Sequence, residues 1–337
     1  MGTVVHLKNR VNNSYSELKS SVEDKLILVE EKIKTKLSSK VELVEEMTKY
    51  HLRTGGKKIR ALLTLGSAKL CGYSKGARDI NLAACIELIH AATLMHDDVI
   101  DSSEIRRGKK TLNNVWGNKS SILVGDYLLS RCFEMMVEDG NLEILKLLSS
   151  TSAEISQGEV LQLQHSGEID MLEETYLKII SAKTASLFSA ATKVGSILVN
   201  KEKKIKDALE FYGKNLGLTF QIADDTLDYN SDLNIFGKKI GNDFYEGKIT
   251  LPIILLCQKA KKDEKLKIKE FFKKTQRCED DFKKILSMIK KYNIIFECYK
   301  KAEYFINLAS NSLSVFEDSK EKNILKNLTS FTLERNF

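Results

Sequence analysis

The chain has 337 residues, 42% of them apolar, with a single proline (Pro252) and 18 glycines. Apolar residues recur at helical spacing nearly throughout and no run alternates as a strand would, which points to one all-α domain over 1–337. Within it, 1–50 read as N-terminal packing or interface helices, 51–255 as the motif-bearing part, and 256–337 as C-terminal helices. The net charge of +7 comes from dispersed lysines, often beside glutamate, and no basic patch interleaved with aromatics argues for nucleic acid. Six scattered cysteines (Cys71, Cys85, Cys132, Cys257, Cys278, Cys298) form no CxxC pair and read as small buried apolar groups in a reducing compartment. No stretch is apolar and long enough to span a membrane, and Lys8 and Arg10 precede no apolar leader, so a cytoplasmic protein is expected.

Residues 11–50 suggest two amphipathic helices with Leu26, Ile33, Leu37 and Val41 among their apolar positions and no visible chemistry. Gly55-Gly56 then breaks the chain, and Lys57 and Arg60 fall in the first turn of the next predicted helix. Cations there oppose the helix dipole, which favours anions. Either this is a glycine turn with solvated lysines, or backbone N–H groups, Lys57 and Arg60 converge on a diphosphate.

A central helix is predicted over 77–101, ending in Asp97, Asp98 and Asp101, the DDxxD pattern. Asp97 and Asp101 share a face about 6 Å apart along the axis, and like charges at that spacing weaken a helix by a few tenths of a kcal/mol. Alone the pair reads equally as a surface charge cluster or as a Mg²⁺ site, since that ion takes hard oxygen ligands and bridges to phosphates. The pattern recurs: QIADDTLDY places Asp224 and Asp228 at the same spacing behind a second apolar run, with Asp225 between them. Two acidic helix ends facing each other across one cavity could hold a metal cluster.

His90 lies two turns before Asp97 on the same stripe, and His96 reads as a satisfied core residue. Arg106 and Arg107 precede Gly108 in a loop able to aim them apart, and Met135 and Met136 read as core in the apolar helix 121–138. In SAKTASLF, Lys183 sits on a small apolar face where a lysine needs an anion, and Thr184 could donate a hydrogen bond. Residues 230–250 lose periodicity and carry Lys238, Lys239 and Lys248, which suggests a phosphate-covering lid. Residues 253–337 are lysine-rich amphipathic helix without an evident site.

GGKKIR, ELIHAATLMHDDVIDSSEIRRG, VGDYLLSR, SAKTASLF, QIADDTLDY and GNDFYEGKITLP occur in the order found in trans-polyprenyl diphosphate synthases. The likeness runs over roughly residues 45–255 and resembles most the bacterial octaprenyl diphosphate synthases that make quinone side chains. It implies an isoprenoid synthase fold, a helical bundle around a deep cavity, working as a homodimer. The implied reaction joins isopentenyl diphosphate to an allylic diphosphate and releases pyrophosphate. Asp97, Asp101 and Asp224 would ligate Mg²⁺, more than one ion per site, with Asp98, Asp225 and Asp228 supporting. Lys57, Arg60, His90 and Arg107 would hold isopentenyl diphosphate. Arg106, Lys183, Lys238 and Lys248 would hold the allylic diphosphate, with Thr184 and Gln221 flanking the reacting carbons. One departure is Ala61, where the family usually places proline. Small residues at Ala92 and Thr93 leave the product tunnel open, with Met135 or Met136 as its floor and C40 as the expected length. A short-chain synthase, a terpene cyclase and a non-catalytic subunit are the alternatives, and product release by transient membrane contact, without a transmembrane segment, is expected.

Overall fold

The computed structural model describes residues 14–230 and 240–334, and these are almost entirely helical. Helices α1 (Glu23–Lys36) and α2 (Glu42–Arg53) lead, followed by α3 (Ile59–Leu70) and α4 (Arg78–Ile100). A two-residue hairpin, β1 (Ile105–Arg106) and β2 (Lys109–Lys110), precedes the short α5 (Leu112–Trp116). Then come α6 (Asn118–Asp139), α7 (Leu142–Gln164), α8 (Glu173–Ile180), a π-helical turn Ser181–Ala185, α9 (Ser186–Leu198) and α10 (Lys203–Leu227). The chain finishes with α11 (Asn242–Glu246), α12 (Leu251–Lys259), α13 (Lys262–Lys273), α14 (Glu279–Lys291), α15 (Ile294–Ser312) and α16 (Lys320–Glu334).

Helix α4 is apolar nearly all round, so it is buried rather than amphipathic, and α1, α3, α6 and α9 pack about it. Helix α10 runs beside α9 and α15. One buried apolar cluster surrounds α4 and a second lies under α11 to α15. Two glycines set the spacing at the π turn. A Cβ at Gly158 of α7 would stand 2.7 Å from Lys183 N, and one at Gly217 of α10 would stand 2.6 Å from Ala185 Cα. Both helices therefore press on the turn that carries Lys183 and Thr184.

Helix α3 begins at Ile59, with Lys58 at φ 46° ahead of it, so Lys57 lies in the preceding loop and only Arg60 occupies the first turn. Arg107 and Gly108 form the hairpin turn with φ of 52° and 75°, the paired left-handed geometry favoured by strand twist. Five cysteines are buried, but Cys278 is exposed at the start of α14, against the expectation for all six. No helix among the described residues is long and apolar enough to cross a membrane.

Candidate active site

A cavity of about 1020 Å³ lies between α4, α7, α10 and the N-terminal helices. Asp97 and Asp101 at the end of α4 line it, as do Asp224 and Asp225 at the end of α10. The two acidic motifs therefore do meet in one space. Asp98 and Asp228 are turned away from it. The Asp98 carboxylate accepts Arg106 Nε at 2.8 Å, and Asp228 accepts the backbone N–H of Gly241 at 3.1 Å and of Asp243 at 2.8 Å. Each motif thus gives some carboxylates to the cavity and one to holding the next segment in place.

Lysines cross the acidic end. Lys183 Nζ lies 2.7 Å from Glu159 Oε2, 3.0 Å from Gln162 Oε1 and 3.8 Å from Asp97 Oδ2. Lys248 Nζ lies 2.7 Å from Asp101 Oδ2 and 2.8 Å from Glu246 Oε2. Burial opposes the Lys248 charge, but Asp101 and Glu246 outweigh it and hold the ammonium above its ordinary value. Burial pushes the Asp97 carboxyl up to about 7; Lys183 works against this, while Glu159 and Asp101 add to it. Lys238 lies outside the described residues, as does Lys239, so the lid expected there is described only from residue 240 onward.

Among the described residues, no three His, Cys, Asp or Glu side chains converge on one ion position. The donor chemistry nevertheless fits Mg²⁺, which is commonly held by one or two carboxylates together with waters and substrate phosphates. Glu159 Oε1, buried and without a hydrogen-bond partner among the described residues, is a further oxygen acceptor at this end. Asp97, Asp101 and Asp224 are the residues that would hold the ion.

Other lining residues are basic. Lys57, Arg60, His90, Arg106 and Arg107 line the cavity together with His51 and Glu87. Burial lowers the Arg60 guanidinium to about 10 although Glu87 and Asp224 favour its charge, and the group stacks 4.5 Å from the Phe188 ring centroid. Arg60 Nε is buried with no partner among the described residues. The Glu87 carboxylate accepts Ala61 N at 3.0 Å. Arg107 donates to the Gly55 carbonyl, so the adjacent arginines point to different partners. Burial, reinforced by arginines, lowers His51 to about 4 and His90 well below its usual value. Both imidazoles are neutral at neutral pH and offer N–H donors rather than charge.

A chain of hydrogen bonds starts from the second acidic motif. Tyr176 OH donates to Asp225 Oδ2, Gln221 Nε2 donates to Asp225 Oδ1, and Thr184 Oγ1 donates to Gln221 Oε1, each at 2.7 Å. An ionised carboxylate only accepts, so it fixes the amide orientation and commits the Thr184 proton to Gln221. The sequence suggested Thr184 as a hydrogen-bond donor, and it donates to Gln221, which leaves its lone pairs for the cavity. A π turn of this kind is rare and occurs often at functional sites.

The cavity continues into apolar surroundings, where Ile33 of α1, Leu37 just after it, Thr48 and Leu52 of α2, Leu88 of α4 and Leu128 of α6 line it. Thr93 is among the lining residues. Ala92 is not: it is fully buried in the core, because five residues back from Asp97 is about 140° round the helix, whereas four is about 40°. Met135 and Met136 are also buried in the core and do not line the cavity, which corrects their expected place as its floor. Leu128, further back along α6, reaches it instead. Glu87, Glu159, Gln162, Tyr176 and Asp243 line the site without having been singled out from the sequence. For the two glutamates the only signal was a lone acid inside an apolar helical run.

Residues 41–289 match the family model for polyprenyl synthetase. The chain is 37% identical to an all-trans-nonaprenyl-diphosphate synthase (geranyl-diphosphate specific) of Rhodobacter capsulatus, over 89% of this chain and 91% of that one. It is 44% identical to the octaprenyl diphosphate synthase of Escherichia coli strain K12, over 65% of this chain and 67% of that one. A crystal structure of a polyprenyl synthase from Caulobacter crescentus, complexed with calcium and isoprenyl diphosphate, superposes with a TM-score of 0.91 at 35% identity, covering 96% of this chain and 98% of that one. The chain belongs to the polyprenyl synthetase family, the trans-prenyltransferases that make polyprenyl diphosphates.

Proposed function

We propose that this chain is a Mg²⁺-dependent synthase that extends an allylic diphosphate with isopentenyl diphosphate to a long-chain all-trans product, C40 in the main. The carrying observation is that one cavity is lined by two aspartate-rich helix ends, by a set of basic side chains and by an apolar extension. A terpene cyclase needs no second diphosphate pocket, and Lys57, Arg60, His90 and Arg107 supply one here. The Caulobacter relative's calcium and isoprenyl diphosphate support a divalent cation and a prenyl diphosphate as ligands of this fold.

In this reading Lys57, Arg60, His90 and Arg107 hold isopentenyl diphosphate. Arg106, Lys183, Lys238 and Lys248 meet the allylic diphosphate, whose C1–O bond breaks with the electron pair leaving on the diphosphate. Asp97, Asp101 and Asp224 would hold Mg²⁺, which would supply charge neutralisation for that leaving group. Lone pairs of Thr184, oriented by Gln221, face the allylic carbon as it becomes cationic, a preorganised electrostatic contribution. The new bond joins this carbon to C4 of isopentenyl diphosphate, and the departing diphosphate takes the proton lost from C2. The apolar extension excludes water from the cation and receives the growing chain.

Exposed apolar residues on α6 and α7, including Leu123, Val137, Val160 and Leu163, support a homodimer. A C40 product suits a quinone side chain made in the cytoplasm and passed to a membrane by transient contact. Pyrophosphate release should require both substrates and Mg²⁺ and stop with chelator. Release from the allylic diphosphate alone at the same rate would contradict the proposal.

A further inference from the structure

The C-terminal third shows no chemistry in its sequence, yet it holds the segment that bears Lys248. Arg277, in the turn between α13 and α14, donates from one guanidinium nitrogen to Tyr245 O at 3.0 Å and from another to Phe272 O at 2.8 Å. These carbonyls belong to the last turns of α11 and α13, where main-chain acceptors have no intrahelical donor. Among the described residues Arg277 makes no ion pair with a carboxylate; its two terminal nitrogens serve the backbone, and Nε is buried without a partner. The guanidinium also covers Gly247. A Cβ there would stand 2.6 Å from an Arg277 nitrogen, and the φ of 79° is one that other residues rarely adopt.

The surroundings fix this arrangement. Lys274 and Asp281, 2.6 Å apart, brace the turn that carries Arg277. The Phe244 ring meets Phe272 and Phe282 at centroid distances of 5.3 and 5.5 Å, and Tyr245 meets Phe282 at 5.7 Å. Immediately after Gly247, the Lys248 N–H donates to Asp243 O at 2.8 Å while its ammonium reaches Asp101 at 2.7 Å. Arg277 does not line the cavity, so any influence it has on catalysis passes through this segment.

We propose that Arg277 is a positioning residue for the allylic diphosphate: by tying the ends of α11 and α13 together across Gly247, it sets Lys248 in register with Asp101. This rests on the reading that Lys248 meets that diphosphate. The test is a double-mutant cycle on the full chain, with steady-state kinetics for both substrates. Arg277→Met should lower kcat/KM for the allylic diphosphate by about tenfold or more, the scale of losing charge-assisted hydrogen bonds. KM for isopentenyl diphosphate should stay unchanged. Arg277→Lys, which keeps the charge and one donor, should fall between, and it serves for the cycle if the methionine variant fails to fold. In a Lys248→Ala background either substitution should add no further loss. Losses that multiply, a KM rising equally for both substrates, or wild-type kinetics in Arg277→Met would overturn the proposal. Wild-type allylic kinetics in Lys248→Ala would remove both the reading of Lys248 and this inference; a loss there without coupling to Arg277 removes the inference alone.

Discussion

Replacing Thr93 by phenylalanine tests where the product runs. Thr93 lines the cavity four residues before Asp97, or about 6 Å down the axis of α4. The lining continues to Leu88, nine residues before Asp97 and about 13–14 Å down. A phenyl ring at Thr93 therefore closes roughly the lower half of that depth while projecting into open space, so the variant should fold. Its main product should shorten to C15–C20, with the early condensations retained. Ala92→Phe provides the contrast. Ala92 is fully buried away from the cavity, so the ring overpacks the core at about 1–3 kcal/mol and should lower Tm without shortening the product. Products from labelled isopentenyl diphosphate, dephosphorylated and separated by reversed-phase chromatography, read the length; thermal melts read the fold. A wild-type product from folded Thr93→Phe, or shortening by Ala92→Phe at unchanged Tm, refutes this path.

Asp97→Ala or Asp224→Ala should cost on the order of a thousandfold in rate, several kcal/mol of leaving-group stabilisation; near-normal turnover in either rules out the two-motif metal site. Lys57→Ala or Arg60→Ala should mainly raise KM for isopentenyl diphosphate, whereas Lys183→Ala should lower kcat, because its charge matters most as the leaving group departs. A selective loss of allylic binding in Lys57→Ala would reverse the two sites. Without metal, Asp97 rises from 3.8 to about 7 on folding, so its contribution to stability is full below pH 3.8 and lost as pH rises to 7. His51 acts oppositely: lowered from 6.5 to about 4, it gives stability that is present above pH 6.5 and lost as pH falls through 4. Melts of chelated Asp97→Asn against wild type isolate the carboxylate. The variant should gain relative stability from pH 4 to 7 and then level off, and a flat difference contradicts the assignment.

The central helix was legible because α4 is long and strongly apolar, and it falls within a residue of the expected span. The joint cavity was foreseen from the repeated aspartate pairs, since such carboxylates behind apolar runs need a common cation. Facing directions were less legible. The i, i+4 spacing is the same in both motifs, yet Asp101 lines the cavity and Asp228 binds backbone N–H groups, a difference set by the segment that follows each helix. Ala92 was misplaced by one residue, and on a helix that is 100°. The π turn has no signature in SAKTASLF; it depends on Gly158 and Gly217 pressing from two other helices. The polarity of Thr184 likewise depends on Gln221 and Asp225, which are remote from it in sequence. Ile33 and Leu37 looked like packing residues, and only the tertiary arrangement makes them cavity lining.

The most direct test of the account is product analysis of the purified chain given labelled isopentenyl diphosphate, an allylic diphosphate and Mg²⁺. A ladder of all-trans polyprenyl diphosphates culminating near C40 is expected, absent when either substrate or the metal is withheld. A cyclic hydrocarbon formed from the allylic diphosphate alone, or a ladder that persists in chelator, would contradict it.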